Sequence, residues 1–168
     1  MKSIAIIYGS STGNTEHAAH LIATELAGYS PVVKDITDVV PEELLESDVL
    51  ILGVPTWSVG ELQDDWDEFF PNIKKLDLTG KTVALFGMGD ADGYPDTYVD
   101  ALGILYDEFG KTGCTFVGEV STDGYTFDDS QGLRGGRFVG LLLDEDNESK
   151  LTRPRVKAWV DSLKPYLD

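Results

Sequence analysis

The stretch Ser10-Ser11-Thr12-Gly13-Asn14-Thr15 clusters hydroxyl side chains around a glycine, between the apolar run Ile4–Tyr8 and a helical pattern that begins at Asn14. Residues of this kind at a strand-to-helix junction can hold a phosphate. The first N–H groups of a helix have no internal partner, the helix dipole is positive there, and hydroxyls add neutral donors. What is missing narrows the ligand. No lysine follows Gly13, so the triphosphate-binding loop and its charge are absent, and so is the three-glycine fingerprint that shapes a backbone for pyrophosphate. A single terminal phosphate held by neutral donors, as in a mononucleotide, fits this loop. An ordinary tight turn closed by a helix cap fits it too.

Two further segments carry residues suited to a planar ligand. Pro55-Thr56-Trp57-Ser58-Val59-Gly60-Glu61-Leu62 presents a Trp, a ring costly to leave wet. Gly87-Met88-Gly89-Asp90-Ala91-Asp92-Gly93-Tyr94-Pro95 presents a second aromatic among small residues that let backbone amides approach a ligand. Trp57 and Tyr94 could enclose a heterocycle between them, with Gly89 and Asp90 meeting its polar edge. Each ring could also be packing at the edge of a core. Metal chemistry finds little support. His17 and His20 lie three apart on one helix with only Glu16 near in sequence, and Cys114 is the sole cysteine, which excludes an internal disulfide and a cysteine cluster.

These loops need elements to position them. Apolar, β-branched runs recur at Ser3–Tyr8, Pro31–Ile36, Val49–Val54, Thr82–Met88, Thr115–Val120 and Phe138–Leu143, several without polar alternation, as in a parallel sheet covered on both faces. Helical patterns lie between them at Asn14–Ala27, Thr97–Gly110 and Thr152–Tyr166, with Pro154 in the first turn of the last. Shorter helices are expected at Pro41–Glu46 and Gly60–Phe70. Alternation of this kind predicts one α/β domain over residues 1–168: a doubly wound, five-stranded parallel sheet of strand order 2-1-3-4-5 with helices on both faces. Ligands on such sheets sit at the carboxyl ends of the strands beside the switch point, which selects the loops after Tyr8, Val54 and Met88. Ser121–Arg137 reads as an excursion that interrupts the last strand.

Composition limits the partners. The chain of 168 residues has 13 Lys+Arg against 30 Asp+Glu, a formal net charge of -17. Nucleic acid and anionic membranes would be repelled and a basic protein attracted. The N-terminal apolar run is too short for a signal peptide, and no stretch approaches the ~20 apolar residues of a membrane span. A cytoplasmic monomer is expected.

The three loops, with Ser121-Thr122-Asp123-Gly124-Tyr125, Gly140-Leu141 and Leu143-Asp144-Glu145-Asp146-Asn147, give the chain a resemblance to the flavodoxin family over almost its whole length. The interrupted fifth strand resembles the long-chain branch. The resemblance implies non-covalent FMN and a low-potential one-electron carrier, with no catalytic residues of its own. Its partners would be redox proteins, such as a basic NAD(P)H-dependent flavodoxin/ferredoxin reductase and an acceptor oxidoreductase. It also implies roles: residues 10–15 on the phosphate, Trp57 and Tyr94 on the two ring faces, and Asp90 at the pyrimidine edge. Thr56, Ser58 and Asp146 would meet the ribityl chain, and the Ser58–Val59 backbone would face N5, with Pro55 and Gly60 shaping that loop. Asn14 stands where Lys is frequent in the family, and Ser58 where Asn is. A flavin-dependent reductase on the same fold would need a nicotinamide pocket with a basic group, and a phosphoacceptor receiver would need paired Asp after the first strand. Neither is visible. The excursion is expected to serve partner docking more than flavin binding.

Overall fold

A computed structural model describes residues 1–57 and 60–168; Ser58, Val59 and the side chain of Trp57 lie outside the described residues. The long strands are β1 (Ile4–Tyr8), β2 (Val32–Asp35), β3 (Val49–Trp57) and, after the two-residue β4 (Glu61–Leu62), β5 (Thr82–Met88). β6 (Thr115–Val117) and β10 (Leu141–Leu143) both pair in parallel with β5, β6 along Thr82–Ala84 and β10 along Phe86–Met88. They are two halves of one interrupted fifth strand. With β2, β1 and β3 alongside, the order β2-β1-β3-β5-β10 is the 2-1-3-4-5 arrangement expected from the sequence.

Alternation along each strand divides the core. Ile4, Ile6, Val49, Ile51, Ala84, Phe86, Leu141 and Leu143 face one side, where they pack with α1 (Asn14–Glu25) and α4 (Glu145–Leu163). Ile7, Leu50, Leu52, Val83, Leu85 and Leu142 face the other, against α2 (Asp64–Ile73) and α3 (Asp100–Gly110). With both faces covered, the strands need no polar alternation. Among the described residues no helix is long and apolar enough to cross a membrane.

Several elements differ from the sequence expectation. Residues 60–62 do not begin a helix. Gly60, at φ 82, reverses the chain, and β4 pairs antiparallel with Thr56 and Trp57 before Gln63 caps α2. The Pro41–Leu45 segment is a 3-10 turn. α4 starts at Glu145, seven residues before the expected Thr152, because Asp144 caps it; Glu148 interrupts the helical geometry, and Pro154 falls in its interior. The excursion is ordered by β7 (Val120–Ser121), β8 (Leu133–Arg134) and β9 (Arg137–Phe138), a small antiparallel sheet with β9 central. Its other anchor is Tyr125, whose hydroxyl donates to the Leu142 carbonyl at 2.7 Å beneath the Arg155 guanidinium.

The excursion also presses on α3. A Cβ at Gly103 would fall on the backbone carbonyl of Gln131, whereas one at Gly110 in the same helix would meet nothing closer than 3.8 Å. Gly103→Ala is expected to destabilise by about 1–3 kcal/mol, and Gly110→Ala to stabilise by about 0.4–1 kcal/mol. Urea unfolding of the two variants measures both.

Candidate functional site

The carboxyl ends of β1, β3 and β5 open into a cleft of about 220 Å³. Its floor is Pro55, Thr56, Met88 and Gly89, and its walls are Ser11, Thr12 and Asn14 on one side and Asp90, Tyr94, Glu145 and Asp146 on the other. Ser10, Gly13 and Thr15 adjoin the first wall in sequence and do not line the cleft themselves. Trp57 contributes its backbone at the end of β3, while its side chain, Ser58 and Val59 lie outside the described residues.

The first loop is organised by its own polar groups. Ser10 Oγ accepts from the Gly13 amide at 3.0 Å, and Gly13 takes φ 93, which glycine adopts without strain. This turns the chain into α1 with no side chain capping its first amides. Thr15, 1% exposed, has a buried hydroxyl with no hydrogen-bond partner among the described residues. An unmet buried hydroxyl beside uncapped helix amides is a donor set for an oxyanion. The loop is held from outside by Gln63, which is buried and donates through Nε2 to Ser11 Oγ at 3.1 Å and to Asp65 at 2.7 Å.

The second and third loops share a wedge. Val99 has a left-handed φ of 50, uncommon for a β-branched residue, and its methyl groups lie where Cβ atoms on Gly87 and Gly89 would be. Immediately after it, the Ala101 amide donates to Thr56 Oγ1 at 3.1 Å. Asp100, 5% exposed, accepts from the Gln131 amide at 2.7 Å, and its second oxygen lies 2.8 Å from the place a Gly60 Cβ would take. Burial pushes its carboxyl above the usual carboxylate range. The excursion reaches the third loop as well, with Asp128 and Asp129 amides on the Pro95 carbonyl and the Tyr98 amide on Asp129. It therefore braces the chain just beyond Tyr94, beyond the docking role expected of it.

In the third loop, Asp90 turns its carboxylate to the Gly93 amide and to Asn147, both at 2.8 Å, and these donors hold it below the usual carboxylate range, the Asn147 bond first. Asp146 is exposed at the cleft rim and shifted upward, by burial and then by Asp90, Asp144 and Glu145. Tyr94 remains 43% exposed, a large ring with one side open to the cleft.

The sequence reading passed over Gln63, Met88, Asp144, Glu145 and Asn147 as members of this site. Asp144-x-x-Asn147 between a strand and a helix is a cap signature and was legible as one. Gln63 carries no signal of its own, since its partner Ser11 is remote in sequence.

Comparison with known proteins accords with this arrangement. The family profile described as flavodoxin matches residues 6–159. The chain belongs to the flavodoxin family. It is 46% identical to the flavodoxin of Synechocystis sp. over 168 residues, 99% of each chain, and 46% identical to that of Klebsiella pneumoniae over 161 residues, 95% of this chain and 92% of that one. Among solved structures, Fusobacterium nucleatum flavodoxin bound to flavin mononucleotide superposes with a TM-score of 0.95 at 32% identity, covering all of both chains.

Asp100 gives a pH test with a fixed sign. A carboxyl raised in the fold above its ordinary value of 3.8 costs stability above the folded value, and the cost vanishes below the ordinary one. Asp100→Asn is therefore expected to stabilise the chain at neutral pH, with the advantage disappearing as pH falls through the ordinary carboxylate range. Urea midpoints of both proteins across that range decide it; an advantage that persists at low pH contradicts it.

Proposed function

We propose that this chain binds one FMN in the cleft and carries single electrons between protein partners, with no substrate turnover of its own. The observation that carries the reading is the unpartnered, buried Thr15 hydroxyl at the uncapped start of α1. It supplies what one phosphate needs and leaves no evident place for a second phosphate and adenosine, so FMN and not FAD is the cofactor. Bound FMN supplies the one-electron chemistry. The chain's residues do the rest. Residues 10–15 bind the phosphate, Tyr94 covers one ring face, and Trp57 is assigned the other. Gly89 and Asp90 serve the pyrimidine edge, and Pro55, Thr56, Ser58, Val59, Gly60 and Asp146 serve the ribityl chain and the N5 side.

The carboxylates of Asp90, Asp144 and Asp146 stand together at the cleft, with ligand oxygens within 4.8 Å of one another. Their field disfavours additional negative charge on the cofactor, which supports a low-potential carrier. Beside the second loop, Glu61, Asp64 and Asp67 rim a groove floored by Leu62, Phe70 and Ile104. This acidic rim fits a basic partner such as an NAD(P)H-dependent flavodoxin/ferredoxin reductase, with a second redox protein as acceptor. We assign the protein to the long-chain branch on the interrupted fifth strand, and propose a single-domain monomer acting in the cytoplasm.

Four measurements test the reading. Apoprotein titrated with FMN and with FAD should bind FMN alone. Thr15→Val should not destabilise the apoprotein, because the hydroxyl has no hydrogen-bond partner among the described residues, and should weaken FMN by about 1 kcal/mol. Tyr94→Ala should weaken it by about 1–3 kcal/mol if stacking resembles that of bases on aromatic rings. Unaltered affinity in both variants would remove the site from this cleft. Finally, stopped-flow electron transfer from a basic reductase should slow steeply with salt; a flat salt series refutes steering by the acidic rim.

A further inference from the structure

One side-chain amide joins the third loop to α4. Asn147 Nδ2 donates to Asp90 Oδ1 at 2.8 Å and to the two oxygens of Asp144 at 2.9 and 3.1 Å. The opposite orientation of the amide would set its oxygen against two carboxylates, so the donor orientation is dictated by its surroundings. Asp144 is almost wholly buried and also accepts the Ala91 amide at 2.8 Å and the Asn147 amide at 3.0 Å. Asp90 accepts the Gly93 amide from its own loop. The titratable groups that bear on this pair are the acidic Asp146 and Glu145 from α4 and the buried hydroxyl of Tyr98, raised by burial and then by the Asp144 charge, while the backbone amide of Asp92 adds a donor to Asp90. Two carboxylates thus stand at close range among further negative charge, with the Asn147 amide as the donor they share.

We propose that Asn147 is a positioning residue of the cofactor cleft: its amide fixes the Asp90–Tyr94 loop against the N-terminus of α4 by bridging the carboxylates of Asp90 and Asp144, which would otherwise repel each other. The consequence for cofactor binding rests on the FMN reading; the bridge does not. The opposite displacements of Asp90 and Asp146 agree with it. Asp90, which has the donors, is held below the usual range, and Asp146 is pushed above it, by burial first and then by the charges of Asp90, Asp144 and Glu145.

Asn147→Ala is a clean test. The backbone amide of residue 147 still caps α4 through Asp144, and the Ala91 and Gly93 bonds remain. Without the bridge, Asp90 loses the donor that lowers it most and should take up a proton at higher pH. Carboxyl-carbon NMR of the full apo chain is expected to show Asp90 titrating at higher pH than in wild type. FMN affinity relative to wild type should fall about three- to tenfold near neutral pH, and the deficit should narrow as pH drops toward about 5. The ratio to wild type cancels titration of the FMN phosphate. In the double variant Asp90→Asn/Asn147→Ala the pH dependence of that ratio should vanish. An unchanged Asp90 titration in the apo variant overturns the proposal, as does a deficit that is the same at every pH, which a purely structural loss would give. If the wild-type chain fails to take up FMN, the functional reading falls, and the apo titration still decides the bridge.

Discussion

The carbonyl of Gly53 is the point on which the site depends. It accepts the indole N–H of the fully buried Trp66 at 2.8 Å and the amide of Gly9 at 3.1 Å, so a single buried acceptor ties together β3, the loop after β1 and α2. The junction is possible only because Gly9 has no side chain: a Cβ there would sit 2.5 Å from Gln63 Oε1 and 2.6 Å from the Trp66 ring. Gln63 then reaches from the cap of α2 to Ser11. The loop that follows β1 and the loop that follows β3 are thereby one mechanical unit. Losing either donor to the Gly53 carbonyl would loosen the first wall and the floor of the cleft together.

A second constraint is electrostatic. A chain with a formal charge of -17 has to receive an anionic ligand, and the loop proposed for it offers uncharged groups: helix amides, hydroxyls and the positive end of a helix dipole. Neutral donors leave the acidic surface intact right up to the cleft. The same side chains are individually spoken for within the protein. Asp65 takes Gln63, Asp90 takes Gly93 and Asn147, Asp100 takes Gln131, and Asp144 takes Ala91 and Asn147. Negative charge near the site is therefore structural as well as attractive to a partner.

The sheet order, the split fifth strand and the three loops were legible because strand runs and their loop residues are local signals. Hydroxyls around Gly13 and small residues around Asp90 declare their backbone needs in sequence. The errors also have local causes. Gly60-Glu61-Leu62 reads as the start of an amphipathic helix because α2 follows immediately, yet the positive φ of Gly60 turns the chain back as a strand first. The early start of α4 was hidden because its first turn, Glu145-Asp146-Asn147-Glu148, has no apolar member to betray a helical period. Gln63, the Val99 wedge and the buried Asp100 could not be read in advance. Gln63 acts on Ser11 52 residues away and Asp100 on Gln131 31 residues away, and the left-handed turn at Val99, uncommon for a β-branched residue, leaves no mark in the local pattern.

The division of the fifth strand between β6 and β10 also bears on how the chain reaches its native state. The two pieces cover successive stretches of β5, but 23 residues separate Val117 from Leu141, and the second piece leads directly into the Asp144 cap of α4. A chain with β1, β2, β3 and β5 paired but residues 141–147 undocked lacks Glu145 and Asp146 from the far wall of the cleft. Closing such a loop adds little to its entropy cost with each extra residue, so the intervening segment can vary in length at small energetic penalty. Whatever that length, the cleft is completed by Glu145 and Asp146, from the segment nearest the C-terminus.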